Sequence, residues 1–460
     1  MADGLVPDWL HQRARLTPDR LALIAEPDVC WTFRQLDDRV GAAAGNLERV
    51  GVGPGDRVGL RAANGWRFVV AVHALARLGA VVVPINTRLT RPEVDWQVES
   101  AATRLLLDQS RLAELMAEPG KPVAPRDFDL TDPHSVLYTS GTTGRPKGAI
   151  LTYGNHWWSA IGSALNLGLQ SDDRWLACLP LFHVGGLSIL LRSVIYGIPV
   201  VVHERFDAGR VNQAIDQQGL TIVSVVSPML DRMLAERQGR PYASSLRCLL
   251  LGGGPAPRPL LEAAAALGAP VVQTYGLTEA ASQVTTLSPE DALRRLGSAG
   301  KPLFPTHVRL HDGEILVRGP TVSPGYLDGS PTTRDGWLHT GDLGVLDADG
   351  YLYILDRRDD LVISGGENVY PAEVEAVLLA HPDVAEAGVY GVHDAAWGQV
   401  VEAVVHQQSG ADVTPADLIA FCRGRLAGYK VPRHIRVVDE SLPRTAAGKL
   451  LRRQLARYAE

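Results

Sequence analysis

Short apolar runs alternate with longer amphipathic segments from about Asp56 to Gly276. The runs predict buried β-strands at Val81–Ile85, Leu105–Leu107, Val136–Tyr138, Val200–His203, Ile222–Val226, Leu249–Leu251 and Val271–Gln273. The segments between them predict helices, for example at Val211–Gln218 and Leu260–Leu267. This alternation is typical of mainly parallel sheets with helices on both faces, in which functional loops follow the carboxyl ends of the strands.

The pattern changes after about Gly297, where short β-like runs and tight turns replace the alternation. The runs at His307–Leu310, Glu314–Arg318 and Tyr351–Leu355 predict a β-rich subdomain over about residues 297–357. We therefore expect an α/β fold with a large N-terminal domain over residues 1–357, followed by a small α+β C-terminal domain over residues 358–460.

The small domain has its own pattern of helices and strands. Pro at the first helical position predicts a helix at Pro371–Leu379. A second helix is predicted at Thr414–Leu426, with Thr414 as N-cap and an acidic residue in the first turn. Strands are predicted at Val384–Val392 and Val401–His406.

Composition and charge narrow the classes of function. Of 460 residues, 46% are hydrophobic and 21% are charged, which excludes fibrous and wholly disordered chains. The net charge of −6 argues against a nucleic-acid-binding protein. Apolar stretches are interrupted before they reach membrane-spanning length, and the four cysteines form no CxxC pair. We therefore expect a soluble cytoplasmic protein with small-molecule partners and no membrane insertion, and a homodimer is left open.

The strongest chemical signal is Tyr138–Gly148, which reads YTSGTTGRPKG. A strand runs into a loop of hydroxyls and glycines that can surround phosphate oxygens, and the lysine adds a point charge. A flexible surface turn is the alternative, and a Walker A loop is excluded because Pro146 and Gly148 flank the lysine. The segment resembles the phosphate loop of the adenylate-forming superfamily, which includes acyl-CoA synthetases, adenylation domains and luciferases. The resemblance implies ATP or AMP contacts from Thr139, Ser140, Gly141, Thr142, Thr143, Gly144 and Lys147.

A second segment, Gln273–Glu279, reads QTYGLTE and follows a predicted strand. It resembles the superfamily segment in which an aromatic ring stacks on adenine, a threonine contacts phosphate and a glutamate binds Mg²⁺. The resemblance implies these roles for Tyr275, Thr278 and Glu279, with Gly276 next to both nucleotide and acid. The alternative is a helix N-terminus with an ordinary glutamate.

A third segment, Leu251–Pro257, reads LGGGPAP and follows another predicted strand. Its glycines would allow the backbone to approach an adenine or an acyl group closely. Gly252 is therefore a candidate contact to the acid, and Gly253 and Gly254 are candidate contacts to the nucleotide. A plain turn between strand and helix is the alternative.

Three signals lie further along the chain. Asp342 ends a Thr-Gly-Asp segment that matches the one whose aspartate accepts both ribose hydroxyls, although a lone Asp is often just a turn residue. Arg357 lies in DRRDD, which matches the junction between the two domains, and would contact ribose or phosphate. Asp359 falls at the superfamily's hinge, with Asp360 as the alternative and a charged linker as the simpler interpretation.

Lys449 ends PRTAAGK near the C-terminus. This segment resembles the loop whose lysine enters the active site during adenylation. The alternative is that Lys449 is one more cation on a basic helix.

The order of these signals identifies the chain as a member of the superfamily. Membership implies that a carboxylate attacks the α-phosphate of ATP, with Mg²⁺, to give acyl-AMP and pyrophosphate, and that a thiol then displaces AMP. Lys449 would stabilise the first transition state. The small mobile domain would then rotate, and Ser364, Gly365 and Gly366 would admit the pantetheine arm of CoA.

Two residues of the segment Leu179–Arg192 bear on the choice of acid. His183 corresponds to the superfamily's pocket aromatic or histidine, which gates access, unless it is a structural histidine. Arg192 lies in an otherwise apolar helix-like run, so it must be paired, extend to water or meet an anionic ligand. A substrate with a second carboxylate would need such a cation.

This part of the chain resembles the o-succinylbenzoate–CoA ligase family of menaquinone biosynthesis, on segments such as LFHVGGLSILLRSVIYG and DRRDDLVISGGENVYPAEVE. Members of that family carry a basic residue at the place of Arg192, and their substrate is a dicarboxylate. The open alternatives are a CoA ligase for another carboxylic acid, an adenylating enzyme that does not use CoA, and an inactive nucleotide sensor.

Overall fold

The computed structural model describes residues 4–26, 28–140, 146–253, 256, 258–357, 362–369, 371–443, 450 and 452–459. Its α-helices are α1 Trp9–Leu16, α2 Phe33–Arg49, α3 Trp66–Leu78, α4 Arg91–Ser100, α5 Gln109–Ala117, α6 Tyr153–Leu167, α7 Val184–Tyr196, α8 Ala208–Gln218, α9 Ser227–Arg237, α10 Arg258–Ala266, α11 Pro371–Leu379 and α12 Pro415–Arg423. Short 3-10 helices lie at Thr278–Ala280, Gly428–Lys430 and Arg452–Ala459.

The strands of the large domain before its β-rich part are β1 Leu5–Val6, β2 Leu21–Ala25, β3 Val29–Thr32, β4 Arg57–Arg61, β5 Val81–Pro84, β6 Leu105–Asp108, β7 Phe128–Asp129, β8 Pro133–Ser140, β9 Pro146–Thr152, β10 Trp175–Ala177, β11 Val200–Val202, β12 Ile222–Val225, β13 Cys248–Leu251, β14 Val271–Leu277, β15 Ser282–Thr286 and β16 Lys301–Pro302. The remaining strands are β17 His307–His311, β18 Glu314–Arg318, β19 Gly325–Tyr326, β20 Thr333–Arg334, β21 Trp337–Leu346, β22 Leu352–Arg357, β23 Val362–Ser364, β24 Glu367–Val369, β25 Val384–Asp394, β26 Gly398–Gln407 and β27 His434–Val438.

Two sheets with parallel centres form the large domain. The nine-stranded sheet has the order β16-β15-β14-β13-β12-β10-β11-β2-β3, and its strands from β14 to β2 pair in parallel. The six-stranded sheet has the order β19-β9-β8-β5-β4-β6, parallel from β8 to β6 and antiparallel at β8–β9. Because the parallel strands end at the same edge, loops from distant parts of the sequence meet there.

Both faces of the nine-stranded sheet are buried. Along β11, Val200 and Val202 belong to one hydrophobic core while Val201 between them belongs to another. Along β13, Leu250 belongs to the first core and its neighbour Leu249 to the second. Strands buried on both faces need continuous apolar runs, which is why the sequence pattern predicted them.

The β-rich subdomain and the small domain also follow the predicted pattern. Strands β17, β18, β20, β21 and β22 form an antiparallel sheet. In the small domain, β24-β23-β26-β25 carry β27 in parallel on β26, and helices α11 and α12 pack against one hydrophobic core. The predicted α/β fold class, with a large domain, a β-rich part and a small α+β domain, is confirmed.

Some features of the pattern were predicted wrongly or missed. Helix α12 ends at Arg423 and not at Leu426, because Gly424 is its C-cap and the chain then turns toward the large domain, where the Arg425 carbonyl accepts a hydrogen bond from Thr90. Strands β2, β3, β4 and β10 are among those not predicted, since runs of three to five residues carry too little periodicity to be distinguished from a helical turn. The longer strands β9 and β21 were also missed, because glycines and polar residues interrupt their apolar runs.

Candidate active site

A cavity of about 3300 Å³ lies where the two domains meet, and residues of both domains line it. Its floor is the edge at which β10, β12, β13 and β14 end. A pocket for one drug-sized ligand occupies roughly 300–1,000 Å³. The cavity therefore has room for several substrates at once.

The predicted phosphate loop is the hairpin of β8 and β9. The two strands pair antiparallel with Thr139 opposite Lys147, so both residues lie at the base of the loop, which the cavity reaches. Residues 141–144, the predicted tip, lie outside the described residues. The hairpin places a hydroxyl and an ammonium at one end of the cavity, as phosphate binding requires.

Glu279 lies beside this hairpin, in the 3-10 helix that follows β14. Its Oε1 accepts hydrogen bonds from Thr139 Oγ1 at 3.0 Å and from the Tyr326 hydroxyl at 3.1 Å. The Nζ of Lys147 lies 5.2 Å from the centre of the Tyr326 ring. In the described part of the chain, no lysine or arginine forms an ion pair with Glu279, so its carboxylate is available to a cation in the cavity.

Tyr275 and Asp342, the predicted nucleoside contacts, are paired in the cavity wall. The Tyr275 hydroxyl donates a 2.7 Å hydrogen bond to Asp342 Oδ2, and both side chains are buried. Thr278 also lines the cavity. Arg357 pairs with Asp342 in the register of β21 and β22, so its backbone lies directly opposite the predicted ribose ligand.

Three glycines of the site are required for different structural reasons. A Cβ on Gly276 would lie 1.6 Å from the Ser282 carbonyl oxygen, so the close approach of β14 and β15 excludes any side chain there. A Cβ on Gly252 would lie 2.9 Å from Thr274 Cγ2. Gly253 has a φ of +79°, which favours glycine. All three line the cavity, and Gly254 lies outside the described residues.

Arg192 is a buried cation in the cavity wall, with 2% of its surface exposed. One terminal nitrogen donates to Ser159 Oγ at 3.0 Å, and Nε has no hydrogen-bond partner. Among the residues described, no carboxylate forms an ion pair with Arg192. Burial lowers its pKa, since the charged form has lost its water. Of the three predicted possibilities, only an anionic ligand would supply the missing charge.

His183 is the residue before α7 and faces the cavity. The His183 side chain is 47% exposed within the cavity, and its partial removal from bulk water and, to a lesser extent, the Arg88 guanidinium lower its pKa. Its Nε2 lies 3.0 Å from Oε2 of Glu367, a small-domain residue with an ion pair to Arg88. Because a carboxylate can only accept, the His183 Nε2 carries the hydrogen and donates it. The contact joins the two domains across the cavity.

The predicted CoA segment is the tight turn between β23 and β24. Gly365 and Gly366 have φ values of +58° and +80°, which suit a two-residue hairpin. A Cβ on Gly366 would lie 3.6 Å from Val226 of the large domain. Ser364 precedes the turn and is buried. The small domain therefore presents bare backbone to the cavity at this point.

Several predicted residues lie outside the described part of the chain: Asp359, Asp360 and Lys449. Their roles stay predictions. Three residues of the site were not predicted: Arg88, Tyr326 and Glu367. Glu367 follows the predicted CoA glycines directly, so an acidic residue next to that turn was the available signal. Arg88 and Tyr326 lie in ordinary loop and strand sequence and gave none.

Together, the hairpin at the cavity, the carboxylate beside it and the buried Tyr–Asp pair match the arrangement predicted for an adenylate-forming enzyme. The sequence model of the AMP-binding enzyme family matches residues 10–327, and that of the AMP-binding enzyme C-terminal domain matches residues 373–449. The chain belongs to the AMP-binding enzyme family.

Within this family, curated relatives point to one branch. A 2-succinylbenzoate–CoA ligase of Bacillus cereus strain Q1 is 49% identical, with 99% of each chain covered. One of Bacillus mycoides is 48% identical over the same shares. The predicted resemblance to the o-succinylbenzoate–CoA ligases is confirmed.

Solved structures of the o-succinylbenzoate CoA synthetase of Bacillus subtilis resemble the chain to different degrees. A double mutant bound to the product analogue OSB-NCoA has a TM-score of 0.94 at 45% identity, with 98% of each chain covered. The same enzyme with the acyl-adenylate OSB-AMP has a TM-score of 0.75 at 45% identity and the same coverage. No helix in the part of the chain that the structure describes is both long and apolar enough to cross a membrane.

Proposed function

We propose that this chain is an ATP-dependent acid–thiol ligase of menaquinone biosynthesis. It adenylates o-succinylbenzoate to acyl-AMP and pyrophosphate, and it then transfers the acyl group to CoA. The observation that carries the proposal is the cavity that combines phosphate-loop residues, the Tyr275–Asp342 pair, an uncompensated Arg192 and the glycine turn of the small domain. Full-length similarity to 2-succinylbenzoate–CoA ligases supports the same reaction.

In the first half-reaction, an oxygen of the substrate carboxylate attacks the α-phosphorus of ATP and pyrophosphate leaves. Catalysis of such a step consists mainly of positioning and charge neutralisation. Asp342 accepts the ribose hydroxyls, Tyr275 stacks on adenine, and Thr278 and Lys147 hold phosphate oxygens. Lys449 is proposed to stabilise the charge that develops between carboxylate and α-phosphate.

The residues around Glu279 suit Mg²⁺. The carboxylate is a hard oxygen ligand beside the phosphate hairpin, and its described partners are the neutral hydroxyls of Thr139 and Tyr326. Mg²⁺ in proteins is commonly held by one or two carboxylates together with substrate phosphates. When bound, the ion supplies charge neutralisation on the phosphates. Thr139 and Tyr326 fix the orientation of the Glu279 carboxylate from the protein side.

In the second half-reaction, the CoA sulfur attacks the acyl carbonyl and AMP leaves. The backbone at Gly365 and Gly366 lies in the cavity wall, where a narrow pantetheine arm can pass. The TM-score of the OSB-AMP complex is lower by 0.19 than that of the product-analogue complex. The small domain is about a fifth of the chain, so a different orientation of that domain accounts for a difference of this size. We infer that the structure has the thioester-forming orientation.

Several finer points belong to the proposal. The domain boundary is placed at residues 357 and 358, with the hinge at Asp359 or, failing that, Asp360. We propose a cytoplasmic location, because ATP and CoA are the co-substrates. A homodimer is proposed as well, and sedimentation at micromolar protein concentration would test it.

A pyrophosphate-release assay with a panel of acids tests the function. We expect release with o-succinylbenzoate at a kcat/KM well above that for benzoate and fatty acids, and thioester formation only when CoA is added. Preference for another acid would favour the alternative, a CoA ligase for a different carboxylic acid. Release without any thioester would favour an adenylating enzyme that does not use CoA, and the absence of release with every acid would favour a nucleotide sensor.

A further inference from the structure

The two domains also meet at a second place, away from the glycine turn. The segment Arg425–Lys430 of the small domain, here the docking segment, lies on the segment Asn86–Glu93 of the large domain, here the receiving segment. Thr90 Oγ1 donates to the Arg425 carbonyl at 3.1 Å. Asn86 Nδ2 donates to the Tyr429 hydroxyl at 3.1 Å.

Apolar side chains of the docking segment enter a core of the large domain. Ala427 is 1% exposed and belongs to the same hydrophobic cluster as Val83 and Ile85 of β5 and its continuation. The Tyr429 ring packs against that cluster. The Cζ atom of Arg88 lies 4.7 Å from the centre of the Tyr429 ring. A small-domain segment that completes a large-domain core indicates a specific docked state rather than a loose contact.

The charged centre of this contact is Lys430, which is only 6% exposed. Its Nζ lies 2.7 Å from Glu373 Oε1 of α11 and 3.1 Å from Glu93 Oε1 of α4. Burial acts to lower the pKa of Lys430, but the two carboxylates outweigh it and raise the pKa, so the amine is charged. Glu373 belongs to the small domain, like the lysine, whereas Glu93 belongs to the large domain.

Glu93 is itself held in place for this contact. Its Oε2 accepts a 2.8 Å hydrogen bond from the Thr90 backbone N–H, in the capping box of α4. The same oxygen lies 2.8 Å from the Thr90 hydroxyl, whose single hydrogen it shares with the Arg425 carbonyl. The other oxygen, Oε1, is the one that faces Lys430. A carboxylate fixed by a helix cap needs little further ordering when the lysine arrives, which favours the pair.

We propose that Lys430 is a positioning residue, and that its ion pair with Glu93 holds the small domain in the orientation that brings Gly365 and Gly366 to the cavity. The pair forms in the thioester-forming orientation and breaks when the domain turns for adenylation. This inference rests on the proposed function, because it assigns Lys430 and Glu93 to one of the two half-reactions.

The test is Glu93→Gln with Glu99→Gln as its matched control. Glutamine keeps an oxygen that can accept from the Thr90 N–H, and it is a normal capping-box residue, so α4 should still begin correctly. It removes the charge that attracts Lys430. Glu99 lies on the same helix and is exposed, so its replacement changes the net charge equally without touching the contact.

Two half-reactions are measured separately on the full-length chain. Pyrophosphate release without CoA reports adenylation, and single-turnover reaction of preformed o-succinylbenzoyl-AMP with CoA reports thioester formation. We expect Glu93→Gln to slow thioester formation about tenfold, the factor that corresponds to about 1.4 kcal/mol, and to leave adenylation unchanged. Glu99→Gln should match the wild type in both.

The outcomes separate this inference from the proposed function. If Glu93→Gln equals Glu99→Gln in both half-reactions, or slows both equally, the proposed positioning role is wrong. If the wild type makes no acyl-AMP from o-succinylbenzoate, the proposed function itself fails. Lys430→Met serves as a second variant: its effect on thioester formation should not add to that of Glu93→Gln, and additive effects would contradict a shared contact.

Discussion

The Tyr275 hydroxyl donates a 2.7 Å hydrogen bond to Asp342 Oδ2, and this bond joins the end of β14 in the nine-stranded sheet to β21 in the β-rich subdomain. The residue proposed to stack on adenine thus orients the residue proposed to accept the ribose. Because the two lie in different sheets, the bond also fixes the subdomain relative to the cavity floor.

Tyr275→Phe should therefore weaken nucleotide binding through Asp342 while the aromatic ring remains. Loss of a hydrogen bond to a charged group corresponds to about 1.5–3 kcal/mol at most. We expect KM for ATP to rise about tenfold, with kcat nearly unchanged. Asp342→Ala, which removes the ribose acceptor itself, should raise KM further. Equal effects of Tyr275→Phe on ATP and on the acid would argue against a role at the nucleoside.

Arg192→Leu tests the pocket for a second carboxylate. A charge-assisted hydrogen bond contributes roughly 1.5–3 kcal/mol, so kcat/KM for o-succinylbenzoate should fall about tenfold to a hundredfold. The variant should fold, because leucine suits the apolar helix and Ser159 keeps its 2.6 Å hydrogen bond to the Ala281 carbonyl.

The control for Arg192→Leu is an analogue that lacks the aromatic carboxylate. Since the reacting carboxylate is untouched, kcat/KM for this analogue should not change. Arg192→Lys keeps the positive charge but loses the planar set of guanidinium donors. Its kcat/KM for o-succinylbenzoate should therefore lie between those of the wild type and the leucine variant. An unchanged ratio between the two substrates in Arg192→Leu would make Arg192 a structural residue.

The phosphate hairpin and the Tyr275–Glu279 segment could be predicted because each is contiguous in sequence and follows an apolar strand. Their partners in space could not. Tyr326 reaches Glu279 from a strand 47 residues away, and no local pattern marks that contact. Likewise, β2 and β10 are short runs whose strand character depends on neighbours that the fold supplies.

The contacts between the domains were the hardest to predict. Glu367, Lys430 and Glu93 are ordinary charged residues in sequence, and their contacts to the other domain form only where the two domains meet. Arg192 is the opposite case, since a cation inside an apolar helical run is anomalous in sequence, and it proved to be buried without a described carboxylate partner. Sequence patterns predict what one element needs, and they say little about how two domains meet.

Asp359→Pro, at the proposed hinge, should affect the two half-reactions differently. Proline fixes φ near −65° and so restricts rotation between the domains. We expect pyrophosphate release to persist and thioester formation to fail. If both steps run at normal rates, the hinge lies elsewhere, with Asp360 as the next candidate.

Lys449→Ala is the complementary variant. Loss of the cation proposed at the developing charge should nearly abolish acyl-AMP formation, while preformed acyl-AMP should still react with CoA. Equal loss in both half-reactions would contradict an account in which the small domain has two orientations.

Acid should destabilise the fold through its buried neutral histidines. Burial is the largest cause that lowers the pKa of His73 to about 4 and of His156 to about 3. Below pH 6.5 these two histidines are protonated in the unfolded chain but stay neutral in the folded chain. The free energy of unfolding therefore decreases as the pH falls from 6.5 toward those pKa values. At pH 5 the loss is at most about 2 kcal/mol per histidine. The free energy of unfolding, measured with urea at pH 7.5 and at pH 5, should fall between the two pH values. The fall should be smaller in His156→Gln and complete in the exposed control His311→Gln. Equal falls in the two variants would contradict the prediction.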